Sequence, residues 1–376
     1  MWRGFVNGMD APSLTGLLGE IVGVSLTRES TMTIKTIGLD LAKQVFQIHA
    51  VDERGQVVLK KQLARAKLAA FFANLPPCLV GMEACSSAHF WANKLAKFGH
   101  DVRLMAPQFV KPYVKGSKTD HADAEAICEA VQRPSMRFVP IKQPEQQALL
   151  ALHRARQGFV KARTAQGNQL RGLLAEFGII IPQGISKLFQ QLPALMEDAE
   201  HVLPDMMREL VCRLAAHLRL LDSQAKELEQ RIEQWHHQSE SSRRLAAIPG
   251  IGPITATALV ASVGNAHAFE NGRQLAAWLG LVPRQHSSGG KPVLLGISKR
   301  GDVYLRTLLI HGARAVIAHA ERRIQDGTNW LSRLLSRRNR NVAAVALANK
   351  NARIVWSLLT SGRDFESGHL SLPAVA

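Results

Sequence analysis

The chain has 376 residues, with 47 Lys and Arg against 30 Asp and Glu and a formal net charge of +17. At 46% apolar residues it is not a disordered basic tail, and it is long enough for two or three domains with their own cores. The cationic surplus favours a phosphate-rich partner, because clustered Lys and Arg displace counterions from nucleic acid.

No apolar run reaches the length of a membrane span, so no membrane partner is expected. Cys78, Cys85, Cys128 and Cys212 form no CxxC pair and no zinc-finger spacing with histidine. Reduced structural thiols in a cytoplasmic protein are expected. Residues 1–31 contain a mildly apolar stretch at 17–26, broken by Glu20. It lacks the basic start and clean apolar core of a signal peptide. Met32 directly precedes the first convincing strand, so 1–31 is expected to be an extension or the product of an upstream start.

Residues 33–40 (TIKTIGLD) are rich in β-branched side chains and predict a buried strand. Residues 44–51 and 56–62 predict two more, joined by a turn at 52–55. A helix is expected over 63–74, a strand at 79–83 (LVGME), a helix at 89–98, a strand at 102–106 and a helix at 120–131. Three meandering strands followed by strand–helix alternation predict an α/β domain of the ribonuclease-H type over residues 32–143.

This order places Asp40 at the end of the first strand and Glu83 at the end of the fourth, which is its neighbour in such a sheet. Asp120 and Asp123, three apart on one helical face, could reach the same spot. Four converging carboxylates repel one another unless cations neutralise them. An all-oxygen set suits hard divalent ions, Mg²⁺ first, and two of them could serve phosphoryl transfer. Taken singly, Asp40 is an ordinary strand end and Asp120 an ordinary helix start; the set is less easily explained that way. An actin-like kinase would also open with a strand ending in Asp, but it needs a second copy of the fold with its own phosphate loops, and none follows residue 150.

Residues 144–244 change character and predict an all-α region. The first helical pattern, at 145–177, carries Arg154, Arg156, Lys161, Arg163 and Arg171 against Glu145 and Glu176, a basic face suited to nucleic acid. The next, at 205–235, spaces Leu218, Leu221, Ala225, Leu228, Ile232 and Trp235 by three and four, as a helical hairpin or coiled coil would.

Residues 245–376 predict a third, mainly α domain with helices at 272–279, 301–320 and 342–360. Residues 247–256 (AIPGIGPITA) resemble a helix–hairpin–helix motif, whose Gly250 and Gly252 turn would offer backbone N–H groups to phosphate. Residues 284–300 (RQHSSGGKPVLLGISKR) hold Ser287 and Ser288 among Arg284, His286, Lys291, Lys299 and Arg300. No Walker loop fits, since Gln285 and Pro292 stand where glycine and Ser or Thr are needed, and G-x-S-x-G is absent. A serine attacking phosphate needs cations, present here, and a base or metal, absent here.

In order along the chain, IGLDLAK (37–43), GMEA (81–84), KTDHADA (118–124), AICEAVQRP (126–134), EQQALLALHRARQG (145–158), IPGIGPITA (248–256), LGLVPRQHSSGGK (279–291) and GISKRGDVYLRTLLIHGARAV (296–316) resemble the DEDD insertion-sequence transposases. That is the insertion-sequence-110 family, and within it the insertion-sequence-1111 subgroup. The resemblance covers nearly everything after Met32. It implies a RuvC-like domain whose four acidic residues fall on Asp40, Glu83, Asp120 and Asp123, and a C-terminal transposase domain whose serine falls on the Ser288–Gly289 step, beside Ser287. It departs from the pattern at Ser86 and Ser87, where many relatives carry Thr–Gly or similar small residues. The implied activity is a recombinase that excises and inserts its own element through a serine–DNA ester. It would be guided by an element-encoded structured RNA that pairs with donor and target DNA, in a bacterial, nucleoid-associated homo-oligomer (dimer or tetramer) whose subunits complete one another's sites. The competing readings are a hydrolytic junction nuclease with the same carboxylates, and a non-catalytic nucleic-acid-binding protein.

Overall fold

The computed structural model describes residues 33–116, 119–197, 203–320 and 330–366, so the reading of 1–31 lies outside the described residues. Three antiparallel strands come first, β1 (Thr36–Leu41), β2 (Val45–Val51) and β3 (Val57–Ala64), followed by α1 (Arg65–Ala73). The third strand runs two residues into the expected helix because buried Leu63 pairs with Phe46. Then come β4 (Leu79–Glu83), α2 (Ala88–Ala96), β5 (Asp101–Met105), a single turn α3 (Pro107–Val110), α4 (Asp120–Val131) and a two-residue strand β6 (Phe138–Val139). The sheet order is β3-β2-β1-β4-β5-β6, with β1 parallel to β4 and β4 parallel to β5. This is the meander-then-crossover arrangement expected from the strand pattern, with β6 as an unforeseen edge strand.

Alternation along β1 divides the two faces of the sheet. Ile37 and Leu39 are fully buried in a core with Leu68 and Phe72 of α1 and Trp91 and Leu95 of α2. Gly38 turns the other way, toward α4. A Cβ there would lie 2.1 Å from the Ala124 carbonyl oxygen, and one at Gly81 would lie 2.7 Å from Val131 Cβ. The absent side chains let α4 rest directly on β1 and β4.

The helical region is an arm. Helix α5 (Pro144–Ala175) packs on α7 (Asp205–Gln238), with α6 (Ile185–Glu197) closing a small core at the tip. Contacts run Arg156 to Glu229, Arg163 to Asp222 and Gln166 to His217, so the two long helices are antiparallel. Leu218, Leu221, Ala225 and Ile232 are buried. In this chain α5 and α7 therefore make a helical hairpin.

Helices α8 (Glu240–Ala246), α9 (Pro253–Val263), α10 (Gly272–Trp278), α11 (Val303–Ala320), α12 (Trp330–Leu335) and α13 (Arg340–Ser361) share a third core. Between α10 and α11 the chain forms a β-hairpin, β7 (Pro283–Gln285) and β8 (Leu294–Ile297), where the sequence pattern showed no strand. No helix of the described residues is long and apolar enough to cross a membrane. All four cysteines are free; Cys78 and Cys128 are buried as structural thiols, whereas Cys85 and Cys212 are exposed.

Helices α5, α9 and α11 are tied by His153, which is 1% exposed. Its Nδ1 lies 3.0 Å from the Tyr304 hydroxyl and its Nε2 3.1 Å from Thr257 Oγ1. Burial, and next the nearby Arg156 charge, push its pKa down to about 4. An unfolded histidine titrates near ~6.5, so as pH falls the unfolded chain takes up this proton first. The resulting stabilisation is complete above pH ~6.5 and is lost as pH falls from ~6.5 toward 4, about 3 kcal/mol in all. Melting temperatures across that window are expected to fall more steeply for the wild type than for His153→Gln. Parallel curves would show that His153 contributes nothing.

Candidate active site

Asp40 is the penultimate residue of β1, and Thr119 caps the helix that faces it. The Thr119 hydroxyl oxygen accepts from the Ala122 N–H at 3.2 Å, which starts α4 and puts Asp120 and Asp123 in its first turn. There the positive end of the helix dipole favours carboxylates. The outcome is a trio. One carboxylate oxygen each from Asp40, Asp120 and Asp123 lies within 4.8 Å of the others. Three acceptor-only groups at that separation, with hard oxygen donors and no sulfur, form a set suited to a divalent cation.

The expected fourth acid stands beside the trio and not within it. Leu39 pairs with Met82 in the parallel β1–β4 ladder, so the next residue on each strand is Asp40 and Glu83. The two acids therefore sit at the same end of neighbouring strands, close to Cys85, whose thiol pKa is raised by partial desolvation and then by both charges. Ser87, just beyond, has φ +67°, the left-handed region that favours glycine. It is one of the two positions, with Ser86, at which the resemblance implied a departure from the family pattern.

The serine lies at the tip of the β7–β8 hairpin. Lys291 N–H donates to the Ser288 carbonyl at 3.1 Å, and the two residues between, Gly289 and Gly290, have φ +56° and +76°. Two consecutive positive φ values define a type I′ turn, and glycine suits both positions. The Ser287 hydroxyl oxygen accepts from Gln285 Nε2 at 2.9 Å and from Val293 N–H at 3.3 Å, within the hairpin. Every residue from 283 to 296 is exposed, Val293, Leu294 and Leu295 included. Arg284, Lys291, Lys299 and Arg300 are exposed around it.

The base of the hairpin is held firmly. Arg306 is buried and donates through Nη1 to the carbonyls of Leu279 and Arg300, each at 3.0 Å. Gly280 and Gly301 let the two flanking segments touch backbone to backbone: added Cβ atoms would lie 2.0 Å from the Arg300 oxygen and 1.8 Å from the Trp278 oxygen. Sequence reasoning missed Arg306, because one arginine in LRTLL carries no signal until the loops it bridges are seen together.

The other expected contacts divide. In the stretch expected to form a helix–hairpin–helix, Gly250 (φ +89°) packs on Gly312 of α11, and a Cβ on Gly312 would lie 1.8 Å from the Gly250 oxygen. Gly252 is exposed, with nothing within 4 Å of an added Cβ. On α5, Arg154 is exposed. Arg156 and Arg163 are instead engaged with Glu229 and Asp222 of α7. Arg171 donates to the Pro182 and Gly184 carbonyls. These three hold the arm together, so the open basic face of α5 is narrower than the residue count suggested; Lys161, also exposed, lies on it with Arg154.

Comparison with known proteins covers both halves of this arrangement. Residues 37–179 match a DEDD transposase family model of the IS110 type, described as "Transposase", and residues 242–328 match "Transposase IS116/IS110/IS902 family". A "Probable family 20 transposase" of Pseudomonas aeruginosa is 54% identical over 90% of this chain and 100% of the relative. The transposase for insertion sequence element IS1111A of Coxiella burnetii is 44% identical over 96% of this chain and 100% of its own. The transposase for insertion sequence element IS1328 of Yersinia enterocolitica is 44% identical over 88% and 98%.

Proposed function

The chain belongs to the IS110 family of insertion-sequence transposases, and from that premise we propose that it moves its element by serine attack on DNA at a magnesium-bound carboxylate site. The observation that carries this reading is the trio of Asp40, Asp120 and Asp123 drawn together by a strand end and a helix N-terminus. Those three, with Glu83 alongside, would hold Mg²⁺, two ions in the full site. When bound, the ions supply neutralising charge and Lewis acidity toward phosphate oxygens.

Ser288 is the nucleophile in this reading. Its hydroxyl has no hydrogen-bond partner among the described residues, whereas the Ser287 oxygen is occupied inside the hairpin. A bond forms from Ser288 Oγ to phosphorus, and the bond from phosphorus to one sugar oxygen breaks. The serine proton is taken up at the carboxylate site and passed on to the departing sugar oxygen, which ends as a hydroxyl, so no net proton is gained or lost. Arg284, Lys291, Lys299 and Arg300 hold the phosphate backbone, as do Gly252 and the Arg154 face of α5. The phosphodiester energy stays in the serine ester, so strands can be rejoined without a nucleotide cofactor.

A hairpin so fully exposed meets its carboxylates by docking, and we assign them to another subunit of a homo-oligomer. Target choice belongs to a structured guide RNA encoded by the element, which pairs with donor and target DNA. The test is incubation of the full chain with its RNA, donor DNA and Mg²⁺. Expected is DNA covalently linked to protein, and none after chelation by EDTA. Mg²⁺-dependent cleavage without an adduct would favour the hydrolytic nuclease, with water in place of the serine.

A further inference from the structure

We propose that Gln47 is a positioning residue of the carboxylate site, its amide oxygen accepting a hydrogen bond from water on the cation that Asp40, Asp120 and Asp123 would share. The inference rests on the carboxylate reading above and adds a residue to it. Gln47 sits directly opposite Asp40 in the antiparallel β1–β2 ladder. Opposed residues of such a pair project from the same face of the sheet. That face is the one α4 covers, because Asp40 meets Asp120 and Asp123 of α4 there.

Gln47 is only 5% exposed, and its Oε1 is buried with no hydrogen-bond partner among the described residues. A glutamine facing the apolar side of a helix would ordinarily be replaced or paired. The neighbouring acids cannot satisfy it, since an ionised carboxylate only accepts. The orphan oxygen lacks a donor, and the three carboxylates beside it form a set suited to a cation. A hydrated divalent cation supplies both at once, with inner oxygens from the acids and a water proton for the amide. Partners of this outer kind orient the ligands and raise affinity.

The alternative is an amide turned over, its NH₂ donating to Asp40 in the metal-free protein. The two arrangements predict opposite responses to Gln47→Met, which keeps the side-chain length and removes the polar atoms.

The test is Mn²⁺ titration of the full chain, followed by the paramagnetic resonance of free Mn²⁺, together with melting temperatures with and without Mg²⁺. Variants are Gln47→Met, Gln47→Glu and Asp40→Asn. Gln47→Met is expected to bind Mn²⁺ roughly tenfold more weakly, to gain less in melting temperature from Mg²⁺, and to melt no lower than wild type without cation. Gln47→Glu, which keeps the acceptor, should bind at least as tightly as wild type. Wild-type affinity in Gln47→Met alongside lost binding in Asp40→Asn would overturn the role of Gln47 and leave the trio standing. A lower melting temperature without cation, with affinity unchanged, would likewise overturn it in favour of the turned amide. Wild-type protein with no site sensitive to Asp40→Asn would overturn both.

Discussion

Ser288→Ala is expected to abolish the protein–DNA adduct, by at least about 10³-fold, with folding and DNA binding intact. The side chain is exposed, lies at the tip of a hairpin and supports no other group among the described residues, so its loss leaves packing untouched. Ser287→Ala should behave differently. It removes an acceptor used by Gln285 and Val293, loosens the hairpin and lowers the adduct yield without eliminating it. The check is labelled DNA retained on denatured protein. A second readout is mass analysis of the tryptic peptide that begins at Gln285, with fragment ions placing the phosphonucleotide. Modification at Ser287, or a full adduct yield in Ser288→Ala, would sink the assignment.

Gly38→Ala is expected to damage the N-terminal domain, since Gly38 leaves less room for a methyl group than any other described glycine of that domain. Its Cβ would sit 2.1 Å from the Ala124 oxygen, 2.4 Å from the Cys128 nitrogen and 2.7 Å from Cys128 Cβ. Two of those atoms are backbone and cannot rotate away, so α4 must lift from β1. Overpacking of this kind costs about 1–3 kcal/mol or more. It also moves the first turn of α4, and with it Asp120 and Asp123, away from Asp40. Expected are a melting temperature lowered by several degrees, loss of Mn²⁺ binding, and an adduct yield as low as in Asp40→Ala or Glu83→Ala. A variant with native melting and native cation affinity would show that the trio does not depend on this contact.

The carboxylate site was legible because each part has a local signature. TIGLD reads as a strand that ends in an acid, and Thr119 before a D-x-x-D reads as a capped helix. Their meeting needed only the sheet order that three meandering strands imply. What that order could not say is how near each acid comes, and Glu83 stands on the next strand while the other three close up.

The serine hairpin was illegible as structure for a physical reason. Its strands bury nothing in this chain, so β7 and β8 show none of the alternation that burial imposes, and only the Gly–Gly turn hints at them. Charge was the least reliable guide. A count of Arg154, Arg156, Arg163 and Arg171 treats them alike, yet a helical wheel sets Arg154 apart from the other three, and those three are held by Glu229, Asp222 and two loop carbonyls. Gln47 could be found only from register, since nothing about a glutamine in VFQIHAV marks it until Asp40 is seen across the ladder.

The glycines at the base of the hairpin bear on how such a protein can diverge. Where Gly280 meets the Arg300 backbone, Gly301 the Trp278 backbone, and Gly250 and Gly312 each other, no side chain intervenes. No substitution there is conservative, because even alanine collides with a carbonyl that cannot turn aside. A Cβ on Gly250 or on Gly312 meets the other residue's backbone carbonyl whatever side chain stands there, so changing both relieves neither. Exposed side chains such as Leu294 and Leu295 meet no such collision, whereas Gly289 and Gly290 hold the turn and Ser288 with its cations holds the chemistry. Copies of this protein that accumulate mutations would therefore keep both this rigid frame and the reacting tip it carries, and change first at exposed side chains that neither one uses.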